Sequence, residues 1–83
     1  MRVNVRYFAS IREALGAGEA LDVPAGCTVG AVRDLLIARG DRHAQALGRT
    51  RALRAAVDQC MAAESAVIGE GAEVAFFPPV TGG

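Results

Sequence analysis

The chain closes with Glu73-Val74-Ala75-Phe76-Phe77-Pro78-Pro79-Val80-Thr81-Gly82-Gly83, and the expected fold is built around this stretch. Residues 73–77 are mostly apolar and follow the turn signal Gly69-Glu70-Gly71, which together predict a strand. Pro78 and Pro79 end that strand, because proline cannot donate to a sheet ladder and fixes φ. The last four residues then predict a flexible tail of at most ~14 Å, at about 3.5 Å per residue.

The tail consists of Val80, Thr81, Gly82 and Gly83. Its two glycines lack a Cβ, so they can enter a slot that is too narrow for any other residue. The group that the tail presents to a partner is the terminal carboxylate of Gly83. A glycine pair is also what a frayed terminus contains, but a strand, a double proline and a glycine pair in succession favour a functional tail.

Length, charge and composition exclude several classes of function. Eighty-three residues predict one domain, which we divide into a folded body, residues 1–79, and the tail, residues 80–83. Nine basic and nine acidic residues balance, which argues against nucleic acid and anionic membranes as partners. No apolar run approaches the ~20 residues of a membrane span.

Few side chains could carry chemistry of their own. All nine basic residues are arginine, so Gly16-Ala17-Gly18 does not belong to a phosphate-binding loop with its lysine. Cys27 and Cys60 are far apart and His43 is the single histidine, which disfavours a metal site. Two cysteines without a signal peptide predict buried thiols and a cytoplasmic location.

The first half of the chain alternates between strands and helices. Residues 2–8 alternate with Val3, Val5 and Tyr7 on one face, predicting a half-buried strand with Phe8 on its outer face. Ser10 and Glu13 fit a capping box for a short helix that ends near residue 15. A second strand is predicted over residues 19–23, antiparallel to the first.

The main helix is predicted over residues 29–39, with Thr28 as its N-cap and Gly40 just beyond its end. Helical spacing places four apolar residues on the sheet: Val29, Val32, Leu35 and Leu36. Residues 41–47 predict a further helical turn capped by Asp41. Residues 51–59 suit a helix by propensity and a strand by alternation. Residues 61–68 predict a loop with a short strand or turn, in which Val67 and Ile68 fill the core.

Two segments carry a resemblance to a known family. Residues 71–83, ending Phe76-Phe77-Pro78-Pro79-Val80-Thr81-Gly82-Gly83, resemble the C-terminal signature of the small, sulfur-carrying subunit of molybdopterin synthase. Residues 5–13, Val-Arg-Tyr-Phe-Ala-Ser-Ile-Arg-Glu, resemble the family's first strand and short helix. The resemblance implies a ubiquitin-like β-grasp, an α+β roll with one mixed sheet and a main helix across one face. It therefore favours a strand over residues 55–59.

The resemblance also implies a function and its partners. The chain would be no enzyme on its own and bind no cofactor. An E1-like enzyme would use ATP to adenylate Gly83, and a sulfurtransferase would supply sulfur for a thiocarboxylate. That sulfur would pass to cyclic pyranopterin monophosphate in the large subunit, within a heterotetramer of two small and two large subunits.

The expected contact with the large subunit is an apolar patch beside the exit of the tail. Phe8 and Phe77 lie on the outer faces of two strands that neighbour each other in a β-grasp, and Met61 matches a position that is apolar in the family. A solvated sheet face should be polar here. The remaining expected contacts are Pro78 and Pro79 at the exit and, at the rim, Arg6 and Arg12.

Three alternative functions stay open at this point. A carrier of sulfur for thiamine thiazole or another thiolated product shares the glycine pair, but usually lacks the Phe-Phe-Pro-Pro-Val-Thr run. A ubiquitin-like modifier would join Gly83 to a target through an isopeptide bond. A passive binding module would keep its function after Gly83 is deleted.

Overall fold

The computed structural model describes residues 1–79, which form a five-stranded mixed sheet and three helices. The strand order is β2-β1-β5-β3-β4, so the last strand lies at the centre beside the first. The predicted α+β roll is confirmed. The elements are β1 Arg2–Tyr7, α1 Ala9–Leu15, β2 Gly18–Asp22, α2 Val29–Ile37, α3 Asp41–Leu47, β3 Arg54–Val57, β4 Cys60–Ala62 and β5 Glu73–Phe77.

The core lies between the helices and one face of the sheet. In β1, Val3, Val5 and Tyr7 are at most 1% exposed, which confirms the predicted alternation. They cluster with Val74 and Phe76 of β5 and with apolar residues of the helices. Strand β2 pairs antiparallel with β1, as predicted, although it begins at residue 18 and ends at residue 22.

Helix α2 begins as predicted and ends sooner. The Thr28 hydroxyl accepts a hydrogen bond from the Ala31 amide at 3.1 Å, which confirms it as the N-cap. The helix ends at Ile37, two residues before the predicted end. The prediction for Leu35 was wrong: it is 39% exposed, whereas Leu36 is fully buried. The narrow buried stripe runs through Val29, Val32 and Leu36, and Leu35 lies beside it.

The predicted caps of the two short helices were both wrong. Helix α1 has Phe8 as its N-cap without a side-chain cap, and Ser10 lies inside the helix. The backbone amide of Phe8 donates to the Phe76 carbonyl at 3.2 Å, so the strand pairing fixes where the chain turns into α1. Helix α3 is preceded by Gly40, and Asp41 is its first residue and not its cap.

Strands β3 and β4 form a hairpin, so the strand interpretation of this region is confirmed. The predicted strand over residues 55–59 is shifted, since Asp58 and Gln59 form the two-residue turn with φ of +49° and +70°. Positive φ at both central residues is the geometry of a type I′ turn, whose twist matches that of the strands it joins. Strand β4 lies at the start of the segment predicted to be mostly loop.

Residues 63–71 cross the start of α2 and lead into β5. Ile68 is buried as predicted, but Val67 is 67% exposed and the prediction for it was wrong. Val67 forms an antiparallel bridge with Thr28, and the alternation of an extended chain then turns its side chain away from the core. This crossing explains a glycine in α2, because a Cβ at Gly30 would lie 3.0 Å from a carboxylate oxygen of Glu64.

Candidate docking face and tail exit

The strand that precedes the predicted tail lies in the middle of the sheet. Strand β5 pairs parallel with β1 and antiparallel with β3, and it ends at Phe77. Pro78 and Pro79 follow and are partly exposed. The predicted tail residues, Val80, Thr81, Gly82 and Gly83, lie outside the described residues. The residues that precede the tail therefore follow a central strand of the sheet and not an edge strand.

The face of the sheet that the helices leave open, here called the open face, is defined by the strand register. Pairing sets Phe77 opposite Arg54 and Ala75 opposite Ala56, and Ala56 in turn opposite Met61. Because side chains alternate along a strand, these residues share one face. The members from the four strands nearest the tail are Arg2, Asn4, Arg6, Arg54, Ala56, Met61, Glu73, Ala75 and Phe77.

An apolar strip crosses this open face. Ala56 and Ala75 are 8% and 7% exposed, so they form a flat floor between larger neighbours. Met61 projects from β4 with 62% of its surface exposed, and Phe77 is partly buried beside the floor. Sequence reasoning named Met61 and Phe77 but missed the two alanines and Arg54. The alternation in β3 and β5 was the available signal for them.

Phe8 lies next to this strip, just past the end of β1. Its amide donates to the carbonyl of Phe76, so Phe8 and Phe77 occupy neighbouring chain segments. The Phe8 ring is 40% exposed, and the guanidinium of Arg6 lies 5.8 Å from its centroid. A cation over an aromatic face is favourable by about 0.5–1 kcal/mol at an exposed site. The contact places the Arg6 guanidinium beside Phe8, and its predicted role at the rim of an interface stays a prediction.

The charges around the strip are unequal. Arg6 is paired with Glu73 of β5 at 3.3 Å. Arg54 and Arg12, by contrast, have no carboxylate within 4 Å among residues 1–79. Arg12 is exposed on α1, four residues after Phe8, and its backbone amide donates to the Phe8 carbonyl at 3.4 Å. Opposite Phe77 in the strand register, Arg54 therefore adds unpaired positive charge at the edge of the apolar strip, here called the basic rim.

The two cysteines differ in exposure, and neither belongs to a metal-binding cluster within the described residues. Within residues 1–79 there is no group of three metal-ligating side chains, and none of the helices there is long and apolar enough to cross a membrane. Cys27 is buried as predicted, whereas Cys60 is exposed and the prediction for it was wrong. Cys60 lies at the start of the edge strand β4, which leaves it uncovered.

A titratable cluster that sequence reasoning missed lies on the helix side, away from the open face. The Tyr7 hydroxyl donates to a Glu19 carboxylate oxygen at 2.7 Å, and His43 Nε2 donates to the same oxygen at 2.8 Å. Burial of the Glu19 carboxyl group raises its pKa, but the bonds from His43 and Tyr7 and nearby positive charge outweigh burial and lower it overall. Burial, followed by the bond to Glu19, raises the pKa of Tyr7.

Comparison with known proteins covers the whole chain. The model of the ThiS family matches residues 5–83. The molybdopterin synthase sulfur carrier subunit of Escherichia coli (strain K12) is 44% identical over 82 residues, 98% of this chain and 99% of that protein. The protein of the same name from Mycobacterium tuberculosis is 36% identical, covering 100% of this chain and 99% of that protein.

The solved structures agree with this relation in fold. The crystal structure of the small archaeal modifier protein 1 of Haloferax volcanii superposes with a TM-score of 0.77 and 26% identity, covering 95% of this chain and 98% of that chain. The matched region of the family model extends through the glycine pair at the end of the chain. The chain thus belongs to the ThiS family, and within it to the molybdopterin synthase sulfur carrier subunits.

Proposed function

We propose that this chain carries sulfur for molybdopterin synthase on its terminal glycine, Gly83. The observation that supports this most is the relation to carrier subunits over the full length, with the family match running to residue 83. The described body supports it as well, because the central strand β5 ends at Phe77, two prolines before the tail begins.

The chemistry follows from the poor electrophilicity of a carboxylate. The Gly83 carboxylate attacks the α-phosphorus of ATP, pyrophosphate leaves, and an acyl adenylate forms on an E1-like enzyme. Hydrosulfide, derived from the sulfur that a sulfurtransferase supplies, then adds to the carbonyl carbon, and AMP leaves with loss of a proton, which yields the thiocarboxylate. ATP is thus a substrate of the activating enzyme, and the carrier itself needs no bound cofactor.

The loaded tail then serves the large subunit of the synthase. We propose that the tail enters the large subunit's active site and gives its sulfur to cyclic pyranopterin monophosphate, in two rounds. General acid–base groups come from the large subunit, so the carrier is not an enzyme on its own. The expected assembly is a heterotetramer of two small and two large subunits in the cytoplasm.

The open face is the surface that we assign to the large subunit. The apolar strip around Met61 and Phe77 is flanked by Phe8 and a basic rim. A stable contact covers roughly 800 Å² per partner. Docking there would hold the body while the tail, which starts three residues past Phe77, reaches the active site at high effective concentration.

Intact-mass measurement tests the assignment of Gly83. After incubation with the activating enzyme, ATP and a sulfur donor, the chain should gain the mass that separates sulfur from oxygen. The chain without Gly83 is the control and should stay unchanged. An unchanged mass for the full chain, under conditions that load the E. coli relative, would contradict the proposal.

Substitution of the glycine pair tests the narrow slot. Gly82→Ala and Gly83→Ala should leave the body folded and lower sulfur transfer on the order of 100-fold, because an added methyl group displaces the reacting carbon. Thr81→Ala removes atoms instead of adding them, and it should stay close to wild type. Full activity of either glycine variant in the synthase assay would disprove the hypothesis that the tail enters a slot too narrow for a Cβ.

A second candidate is a ubiquitin-like modifier, since the structural neighbour from Haloferax volcanii bears the name of a modifier protein. In that case Gly83 would form isopeptide bonds with target proteins. This chain has no lysine, so its own side chains could not extend such a conjugate. Immunoblots of cells that express the tagged chain distinguish the two, because a carrier gives one band and a modifier gives a ladder.

A further inference from the structure

The sheet has two edges, and they differ in length. Strand β4 forms one edge with three residues, Cys60–Ala62, and β2 forms the other with five, Gly18–Asp22. An edge strand presents unpaired backbone N–H and C=O groups, and natural proteins protect such edges by short strands, proline, inward-pointing charge or a bulge. Strand β4 is protected by its shortness. Strand β2 contains no proline, and its register with β1 is continuous.

The hydrogen bonds at both ends of β2 show which of its backbone groups are free. The Met1 amino group donates to the Val23 carbonyl at 2.6 Å, and the Tyr7 amide donates to the Ala17 carbonyl at 3.0 Å. Because the backbone groups of an antiparallel strand alternate between its two sides, every second residue of β2 faces β1 and the others face away. Those that face away are Gly18, Ala20 and Asp22. All three are exposed, and among residues 1–79 no backbone hydrogen bond outside the strand pairing reaches them.

The spacing of these three residues fits an antiparallel pairing of β2 with β2 of a second copy. With Ala20 opposite Ala20 of the second copy, Gly18 lies opposite Asp22 of the second copy, and two-fold symmetry supplies the reverse pair. Each pair can exchange two backbone hydrogen bonds, so the pairing offers about six. All residues of β2 find a partner in this register, whereas a shift toward either end leaves some of them without one.

The charges fit the same register. Asp22 faces Gly18 of the second copy, which has no side chain, so the two Asp22 carboxylates do not meet. Arg6 lies opposite Gly18 in the pairing of β1 with β2. The row across the joined sheets then sets each Asp22 between its own Arg2, at 3.2 Å, and Arg6 of the second copy. A register centred on Asp22 would place two like charges directly opposite each other, which is destabilising.

We propose that β2 pairs with β2 of a second copy about Ala20, which joins the two sheets into one. A contact of five residues per copy belongs with the small interfaces, below ~1,200 Å² of buried surface, so the dimer is weak and reversible. Strand β1 separates β2 from β5, so the pairing leaves Phe77 and the apolar strip of the open face uncovered in both copies. Each copy therefore keeps its open face available for a different partner.

Sedimentation equilibrium of the full chain, at concentrations up to ~1 mM, tests this pairing. The average mass of the wild type should rise with concentration from that of one chain toward that of two. Ala20→Lys sets two like charges directly opposite each other across the two-fold axis and should lower the association constant about fivefold, and Ala20→Glu should do the same. An equimolar mixture of the two variants should associate more strongly than either alone, because opposite charges then face each other.

Asn4→Lys is the matched control for the added charge. Asn4 is exposed and lies opposite Ala20 on β1, so the same charge enters the same face one strand further from the edge. The two added charges would be roughly 14 Å apart in the dimer, beyond the screening length of about 8 Å. The association constant of Asn4→Lys should therefore stay close to that of the wild type.

Each outcome of this experiment decides the proposal. A wild type that keeps the mass of one chain at every concentration would overturn it. If that monomer lost affinity for the large subunit in Ala20→Lys, the edge would belong to that partner instead. Dimers that persist in both Ala20 variants would exclude β2 as the contact, and a mixture that gains nothing would exclude the register centred on Ala20. None of these measurements needs ATP or sulfur, so the pairing and the proposed function can fail separately.

Discussion

The two faces of the sheet differ in how far their side chains are buried and paired. On the helix side, the large core residues of the sheet, such as Tyr7 and Phe76, are at most 1% exposed. The buried Arg33 and the partly buried Glu19 there are fully engaged in hydrogen bonds. On the open face, Met61 is 62% exposed, and Arg54 has no carboxylate within 4 Å among residues 1–79.

This difference separates the contacts that serve stability from the surface that we propose serves a partner. Among residues 1–79, no buried side-chain nitrogen or oxygen lacks a hydrogen-bond partner, so the helix side needs nothing further. The open face combines an apolar strip with unused basic groups, as a docking surface does before it is covered. Substitutions on the two sides should therefore separate folding from association.

The largest effect on folding is expected at Arg33, which is 4% exposed. Its guanidinium donates to the carbonyls of Leu47 and Gly48 at 2.7 Å and to that of Arg51 at 3.0 Å. It also pairs with Glu64 at 2.7 Å. Arg33→Met should lower the free energy of unfolding by about 3–5 kcal/mol, because these acceptors lose their donor. Urea denaturation measures the change.

Arg49 provides the matched control for Arg33. It also contacts Glu64, and it pairs with Asp34 at 2.7 Å, but its side chain is 47% exposed. Arg49→Met should cost about 1 kcal/mol or less, as exposed ion pairs do. If Arg33→Met and Arg49→Met lowered the free energy of unfolding equally, burial of the Arg33 side chain would not explain its contribution to stability.

The next largest effect is expected on the open face, at Phe77. Phe77→Arg should leave the monomer folded but weaken binding to the large subunit by about 2–4 kcal/mol, as a central aromatic contact does. Calorimetric titration measures the affinity, and thermal unfolding of the free chain is the control. Unchanged affinity together with a large fall in melting temperature would place Phe77 in the monomer's core and remove it from the docking surface.

A smaller effect with a clear pH dependence is expected for Glu19 on the helix side. Its folded pKa is lowered, so its contribution is present above the ordinary value of 4.5 and is lost as the pH falls through the folded pKa. Glu19→Gln should lower the free energy of unfolding by roughly 1–2 kcal/mol near neutral pH. This difference from wild type, the gap, should shrink below about pH 4.

Urea denaturation at both pH values measures this gap for Glu19→Gln. The exposed Glu13 of α1 supplies the matched control, since Glu13→Gln removes a carboxylate that makes no ion pair among residues 1–79. A gap for Glu19→Gln that stays constant down to low pH would show that the carboxylate's charge does not stabilise the fold.

The smallest effect is expected at the far edge of the open face. Arg2 and Asp22 pair at 3.2 Å, but their side chains are 63% and 75% exposed. Arg2→Ala should change the free energy of unfolding by less than about 1 kcal/mol. It should not alter affinity for the large subunit, because the pair lies away from the apolar strip. A marked loss of affinity in calorimetry would extend the docking surface across β2.

Local patterns predicted the elements well and their ends less well. The alternation of Val3 and Val5 and the cap at Thr28 depend only on near neighbours in the chain, and both were correct. The caps assigned to Ser10 and Asp41 were wrong, because strand pairing and the preceding glycine set where those helices begin. The docking residues were named partly by resemblance, and their role stays a prediction.

The sequence by itself determined the half-buried first strand, the proline-terminated last strand and the glycine pair at the end. Each follows from side-chain alternation or backbone freedom within a few residues. Only the tertiary structure decided that Arg33 would be buried and that Tyr7 would bond Glu19. Their partners lie 31 and 12 residues away in Glu64 and Glu19, and only the folded chain brings donors and acceptors so distant in sequence within hydrogen-bond distance.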